Sequence, residues 1–365
     1  MPVKIILCYI GWLVLAVALC CQIGPLTQYA SGSKPYSRLF IRETYKGLDD
    51  EKSVRIIFLG DSSVYGPRGS HTPNLLKKAL SRMAPNSDIV ISEWAFPSAQ
   101  MYHYYCMLHR AIGFSPDLVV IPINWNSLGL YWKGAFKENF PELCALAPLS
   151  DDFPPDMVNP IRYRGISRAR QLLYKFEIYS LYPIGLRSLA RDALKFAFPR
   201  SAQQEKKRNV TEADDRCDGG SRSRNRIFLE RAYPMHILET NEICLFIRTI
   251  SHMGSRHRTR VLFYISPINH ENLSQLEYFD REAFDASKKI IMKQTEGLHI
   301  YCIDLSEILT DEEFLDVVLH YCIDGRTKIA DRLAVKTMEI LSENDIRRRE
   351  DSARDVVNHD TCPTI

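Results

Sequence analysis

The sequence predicts an α/β fold of three layers, a buried parallel sheet between two layers of helices. Three observations predict it. Short continuous apolar runs such as Val54–Leu59 (VRIIFL) and Leu118–Ile123 (LVVIPI) lack the alternation of a half-exposed strand, so both faces of each are expected in a core. Segments with helical spacing separate these runs, as in repeated strand–helix–strand units. Of 365 residues, 45% are hydrophobic and 25% charged, which excludes wholesale disorder and a multi-span membrane protein.

The first element is apolar. Ile5–Ile23 is 19 residues without a charge, preceded by Lys4. As a helix it would span roughly 28 Å, close to the ~30 Å of a bilayer hydrocarbon core. An uncleaved transmembrane anchor over residues 1–23 is expected, with a cleaved signal peptide as the alternative. The apolar region of a signal is usually about 7–15 residues long, and no small-residue cleavage pattern stands near Cys20-Cys21-Gln22. Lys34, Arg38 and Arg42 offset Lys4, so charge does not set the orientation. Residues 24–53 read as a juxtamembrane linker.

Residues 54–343 carry the expected domain. Val54–Leu59, Asp88–Ser92, Leu118–Ile123, Arg260–Ile265 and Leu298–Asp304 read as strands. Helical patterns cover Asn74–Met83, Gln100–Ile112, Arg281–Gln294 and about Arg326–Ser342. An insertion occupies 131–257. Within it Trp132–Pro160 reads as irregular, and Ser167–Phe198 as helical with Leu172, Leu173 and Phe176 among its apolar positions. Residues 200–226 hold eight basic and five acidic side chains and read as a disordered, solvated loop; a helical pattern resumes over Ile227–Met253. Residues 344–365, with Arg347-Arg348-Arg349, read as a frayed charged tail.

Lys and Arg total 47 against 44 Asp and Glu, a balance too even for nucleic acid as the main partner. The ten cysteines include no CxxC pair and no metal-ligand spacing, so neither a metal nor a cofactor is expected. One or two disulfides stay open, while Cys302 and Cys322 read as small core residues.

In a parallel sheet, ligands bind beyond the carboxyl ends of the strands. The first strand is followed there by Gly60-Asp61-Ser62-Ser63-Val64-Tyr65-Gly66. A serine at such a turn projects its hydroxyl into the cleft, with backbone N–H groups nearby to hold an oxyanion. The competing reading is that Asp61 and Ser62 only cap the next helix.

LGDSSVYG resembles the first block of the SGNH (GDSL-like) hydrolase superfamily. The resemblance implies a three-layer, flavodoxin-like parallel sheet and assigns the nucleophile to Ser62. Its second block places Ser98 where a glycine usually supplies an oxyanion N–H. Its third block aligns Asn126 with the oxyanion asparagine, with Asn124 in place of glycine. His320-Tyr321-Cys322-Ile323-Asp324-Gly325, followed by Ile329-Ala330, resembles the fourth block and implies His320 as the base. Asp316 would be the acid, although it stands one residue farther from the histidine than the family's DxxH. Either the turn holds an extra residue and Asp316 still reaches the ring, or a carbonyl replaces the acid.

Leu262–Asn272 looks like the strand-plus-PxN segment of bacterial membrane-anchored SGNH-like proteins related to D-alanine transfer and polysaccharide O-acylation. That resemblance implies an extracytoplasmic domain on a single-pass anchor, with Asn269 and His270 at the cleft edge after the fourth strand; with Asn124 of the third block, they are the expected substrate-binding residues. The expected function is a serine esterase or O-acyltransferase acting on an acylated glycan or envelope polymer. The alternative is a non-catalytic accessory that partners a membrane-bound O-acyltransferase. Ser62, Asn126 and His320 in order favour the enzyme; the two glycine replacements and the shifted acid favour the accessory.

Overall fold

The computed structural model describes residues 53–67, 69–95, 99–129, 147, 149, 154, 157–176, 229, 233–316 and 320–359, with side chains to Glu343. Five strands form one parallel sheet: β1 Val54–Gly60, β2 Ile89–Ala95, β3 Leu118–Ile123, β4 Val261–Ile265 and β5 Ile300–Asp304. Their order is β2-β1-β3-β4-β5, the flavodoxin-like arrangement. The chain leaves β1 toward β2 and returns to the other side of β1 as β3, so the switch point lies between β1 and β3.

Successive residues of a strand face opposite sides, and the two cores divide accordingly. Ile57 and Leu59 of β1, Val119 and Ile121 of β3, and Phe263 of β4 pack with α2 Met101–Ile112, α5 Glu242–Arg256 and α7 Arg281–Gln294. Ile56, Phe58, Val120 and Leu262 face α1 Thr72–Met83 and α8 Ile323–His359. Between β3 and α5 lie the short helices α3 Pro160–Tyr163 and α4 Arg168–Phe176, and α6 His270–Gln275 follows β4.

Several elements differ from the sequence expectation. β2 runs on to Ala95 because its register with β1 continues until Gly60 meets Ala95. The helical pattern expected over Ile227–Met253 is interrupted: residues 233–240, with Pro234, run in turns, and α5 begins at Glu242, where Asn241 caps it by accepting the Ile243 N–H at 2.9 Å. α5 also packs against α2 and α7, so it belongs to the helical layer of the sheet. Leu172 and Leu173 of α4 are exposed rather than packed. The tail expected to fray is helical to His359, consistent with the absence of Pro and Gly after Gly325 until Pro363.

Cys244, Cys302 and Cys322 are free thiols; Cys322 is buried and Cys302 half-buried. Among the described residues no helix is long and apolar enough to cross a membrane. Ile5–Ile23, Ser98, the loop 200–226 and most of the 131–257 insertion lie outside the described residues.

Candidate active site

β1 ends in a turn that only glycine fits. A Cβ on Gly60 would stand 2.8 Å from Val64 Cγ2 and 3.2 Å from the Ala95 Cβ. The chain then enters a one-turn 3-10 helix, Ser62–Val64, whose cap is Asp61: its Oδ1 accepts the Ser63 N–H at 2.8 Å. Capping therefore falls to Asp61, and the Ser62 hydroxyl points elsewhere. Its Oγ lies 3.2 Å from His320 Nε2, across 258 residues of sequence.

The other Asp61 oxygen accepts a 2.6 Å hydrogen bond from Asn124 Nδ2. This bond joins the turn after β1 to the turn after β3, at the switch point of the sheet. Burial pushes the Asp61 carboxyl above the ordinary carboxylate range, against the hydrogen bonds from Ser63 and Asn124 and the nearby His320. Around it stand Tyr104 and Tyr264, whose hydroxyls are held protonated by burial first and by the Asp61 charge second.

His320 sits at the neck of a closed loop. Phe314 and Tyr321 form an isolated antiparallel bridge, the Leu315 N–H donates to His320 O at 2.8 Å, and the Cys322 N–H donates to Glu313 O at 3.0 Å. Glu313 is itself anchored, accepting the Thr310 N–H at 2.9 Å and pairing with Lys328 at 2.6 Å. With the neck closed at Leu315 and His320, Asp316 is brought back beside the ring. Its Oδ2 lies 2.6 Å from His320 Nδ1, and its Oδ1 accepts the His320 N–H at 3.2 Å. With three residues between Asp316 and His320 in the sequence, the carboxylate still reaches the imidazole.

Asn126 lies in a second 3-10 turn, Trp125–Leu128, and is 5% exposed; its Oδ1 has no hydrogen-bond partner among the described residues. Trp125 Nε1 donates to Pro234 O at 3.0 Å, tying the turn to the segment before α5, and Ser127 Oγ donates to Asn124 O at 2.6 Å, closing the turn on itself.

Two residues expected to bind substrate also make hydrogen bonds within the protein. The Nδ2 of Asn124 is taken by Asp61. Asn269 is buried, its Oδ1 caps α6 by accepting the Asn272 N–H at 3.0 Å, and its Nδ2 donates to Asp311 at 2.7 Å. The proline-containing turn after β4 needs a cap for the next helix, and asparagine meets that need. His270 is half-buried, its Nδ1 without a hydrogen-bond partner among the described residues and its ring 6.1 Å from that of Phe279.

The arrangement can perform acid–base chemistry on a hydroxyl. With the Nδ1 proton donated to Asp316, Nε2 carries a lone pair toward the Ser62 O–H. Arg326, buried beside this site, carried no sequence signal: a single arginine in an amphipathic helix reads as a surface residue. Among the described residues no group of His, Cys, Asp or Glu side chains could hold a metal ion.

No protein-family model matches the chain, and no curated protein matches it. Among solved structures, a mutant of an acetyl-xylooligosaccharide esterase from Geobacillus Stearmophilus is similar at 10% sequence identity and a TM-score of 0.39. The match covers 79% of this chain and 94% of that one.

Proposed function

We propose that this chain is a serine esterase or O-acyltransferase with Ser62 as nucleophile, His320 as general base and Asp316 as the acid that orients it. The observation that supports the reading is the continuous relay Ser62–His320–Asp316, with contacts of 3.2 and 2.6 Å. Ser62 Oγ attacks an ester carbonyl while its proton passes to Nε2. The oxyanion is held by the Ser62 N–H, whose place at the start of a helix leaves it without an intrahelical acceptor, and by the Asn126 carboxamide. Collapse breaks the ester bond, and the departing alkoxide takes the proton from Nε2. Water or a sugar hydroxyl then attacks the acyl–serine as its proton passes to Nε2; collapse breaks the acyl–Oγ bond and Ser62 Oγ takes that proton, giving hydrolysis or transfer. The Ser98 N–H is a third candidate oxyanion donor by its place in the sequence.

The proposed substrate is a small acyl ester on a surface glycan or envelope polymer, and the proposed location is the outer face of a membrane. The uncharged run Ile5–Ile23 and the resemblance of Leu262–Asn272 to membrane-anchored proteins support both. Retention of the full-length chain on membranes after carbonate washing tests the anchor; recovery in the wash overturns it.

Fluorophosphonate labelling of the purified chain tests the chemistry, because only an activated serine reacts readily. Labelling at Ser62, abolished in Ser62→Ala and in His320→Ala, is the expected result. A folded wild type that forms no adduct and hydrolyses no short acyl ester leaves the accessory reading in its place.

A further inference from the structure

Ser62 and His320 come from segments that no strand pairing aligns. β1 lies beside β2 and β3, while the loop bearing His320 follows β5 at the far edge of the sheet. Something else has to hold the two segments at hydrogen-bond distance.

Arg326, on the first turns of α8, is 1% exposed although its neighbours Asp324 and Lys328 face water. A guanidinium is expensive to bury unless its N–H groups are satisfied. Here Nη1 donates to Tyr65 O at 3.1 Å and also to Tyr321 O, and Nη2 faces Ser70 Oγ at 3.4 Å. Tyr65 closes the nucleophile turn, its N–H donating to Ser62 O at 3.3 Å; Tyr321 is bonded to His320. One planar group thus touches both segments, across 261 residues of sequence. Gly66 is an independent sign of this seat. A Cβ there would stand 2.5 Å from Arg326 Cζ and 2.6 Å from Nη2, so backbone lies directly against the guanidinium.

We infer that Arg326 is a positioning residue that sets the approach of Ser62 to His320 by clamping the Tyr65 and Tyr321 carbonyls, an inference that rests on Ser62 and His320 being nucleophile and base. The rigid fork of arginine suits this role; the point charge and flexible stem of lysine do not fix two carbonyls relative to each other. A displacement of about 1 Å at the reacting pair costs about 10²-fold in rate.

The test uses the full chain with Arg326→Lys, Gly66→Ala and, as a mild control, Ser70→Ala. Gly66→Ala displaces the guanidinium without removing its charge, and carries the test alone if Arg326→Lys does not fold. Fluorophosphonate labelling, measured well below each melting temperature, should show the maximal labelling rate falling about 10²-fold. The half-saturating probe concentration should stay constant, and Ser70→Ala should behave as wild type. Amide hydrogen exchange should show protection lost together in 61–71 and 320–326, with 118–123 and 300–304 unchanged. A folded variant that labels at the wild-type maximal rate overturns the inference, as does exchange that rises only within α8. If the wild type itself fails to label, the esterase reading falls, and joint or separate loss of protection still decides whether Arg326 couples the two loops.

Discussion

Asp316 holds His320 at two points: Oδ1 accepts the backbone N–H at 3.2 Å while Oδ2 lies 2.6 Å from Nδ1 of the ring. The first contact helps close the loop, and the second selects the tautomer whose Nε2 can accept from Ser62. One carboxylate therefore has a structural and a chemical task, and a substitution can separate them.

Asp316→Asn should separate them. Its carbonyl can still accept the His320 N–H, but its amide donates toward Nδ1 and leaves the proton on Nε2, facing Ser62 the wrong way. Hydrolysis of a short acyl ester should fall by about 10⁴-fold in kcat, with the melting temperature nearly retained. Activity near wild type would mean that another group orients the imidazole.

The Asp61–Asn124 bond predicts an acid-stabilised variant. Asn124→Asp sets two buried carboxyls where Nδ2 and Oδ2 now stand 2.6 Å apart. Both cannot ionise, so the pair binds a proton in the folded state that two free carboxylates would release. A folded pKa above the unfolded value, ordinarily about 3.9 for aspartate, makes stability fall as pH rises through the folded value. The urea midpoint of Asn124→Asp should approach that of wild type in mild acid and fall away above it. A constant difference across pH would count against a shared proton.

His71 should add a separate pH dependence. It precedes α1, its Nδ1 lies 3.1 Å from Glu93 Oε1, and its ring is 5.1 Å from that of Tyr65. The Glu93 hydrogen bond raises its pKa, while burial and Arg326 oppose the rise. A raised folded pKa means that the stabilisation is fully present below the unfolded value of about 6.5 and is lost as pH rises through the folded value. Urea unfolding of wild type and His71→Ala should differ most in mild acid and converge in alkali. A gap that widens with pH would reverse the assigned sign.

Gly60→Ala should destabilise the domain by about 1–3 kcal/mol, because the new methyl meets Val64 Cγ2 at 2.8 Å. Adding Val64→Ala removes the clash, so the double variant should be more stable than the summed single effects require. Additive losses in thermal unfolding would place the cost of Gly60→Ala elsewhere in the turn.

The sheet was legible in the sequence because what defines it is local. Runs such as LVVIPI and VRIIFL state burial on both faces without reference to any partner. The glycine–aspartate–serine turn after β1 was legible for the same reason: the bend, the cap and the position of the serine are all set within five residues. The helix beyond Ser342 was missed because charge was read as fraying, although a run without Pro or Gly keeps helical propensity. Asn269 fitted either a cap or a ligand group, and the cap it makes, with its second bond to Asp311, became visible only in the folded chain.

By itself, then, the sequence determined the strands and the turn that presents Ser62, since periodicity and turn chemistry act over a few residues, while Asn126, Asp316 and His320 became candidates only through the resemblance of their segments to a known family. Only the tertiary structure decided that Asp316 reaches the ring across one extra residue, that Asn124 belongs to Asp61, and that Arg326 is buried between the two loops. Those outcomes depend on a bridge closing at Phe314 and Tyr321 and on α8 packing against α1. Contacts between segments some 258 residues apart are set by how the layers stack, and no local pattern in either segment records the distance between them.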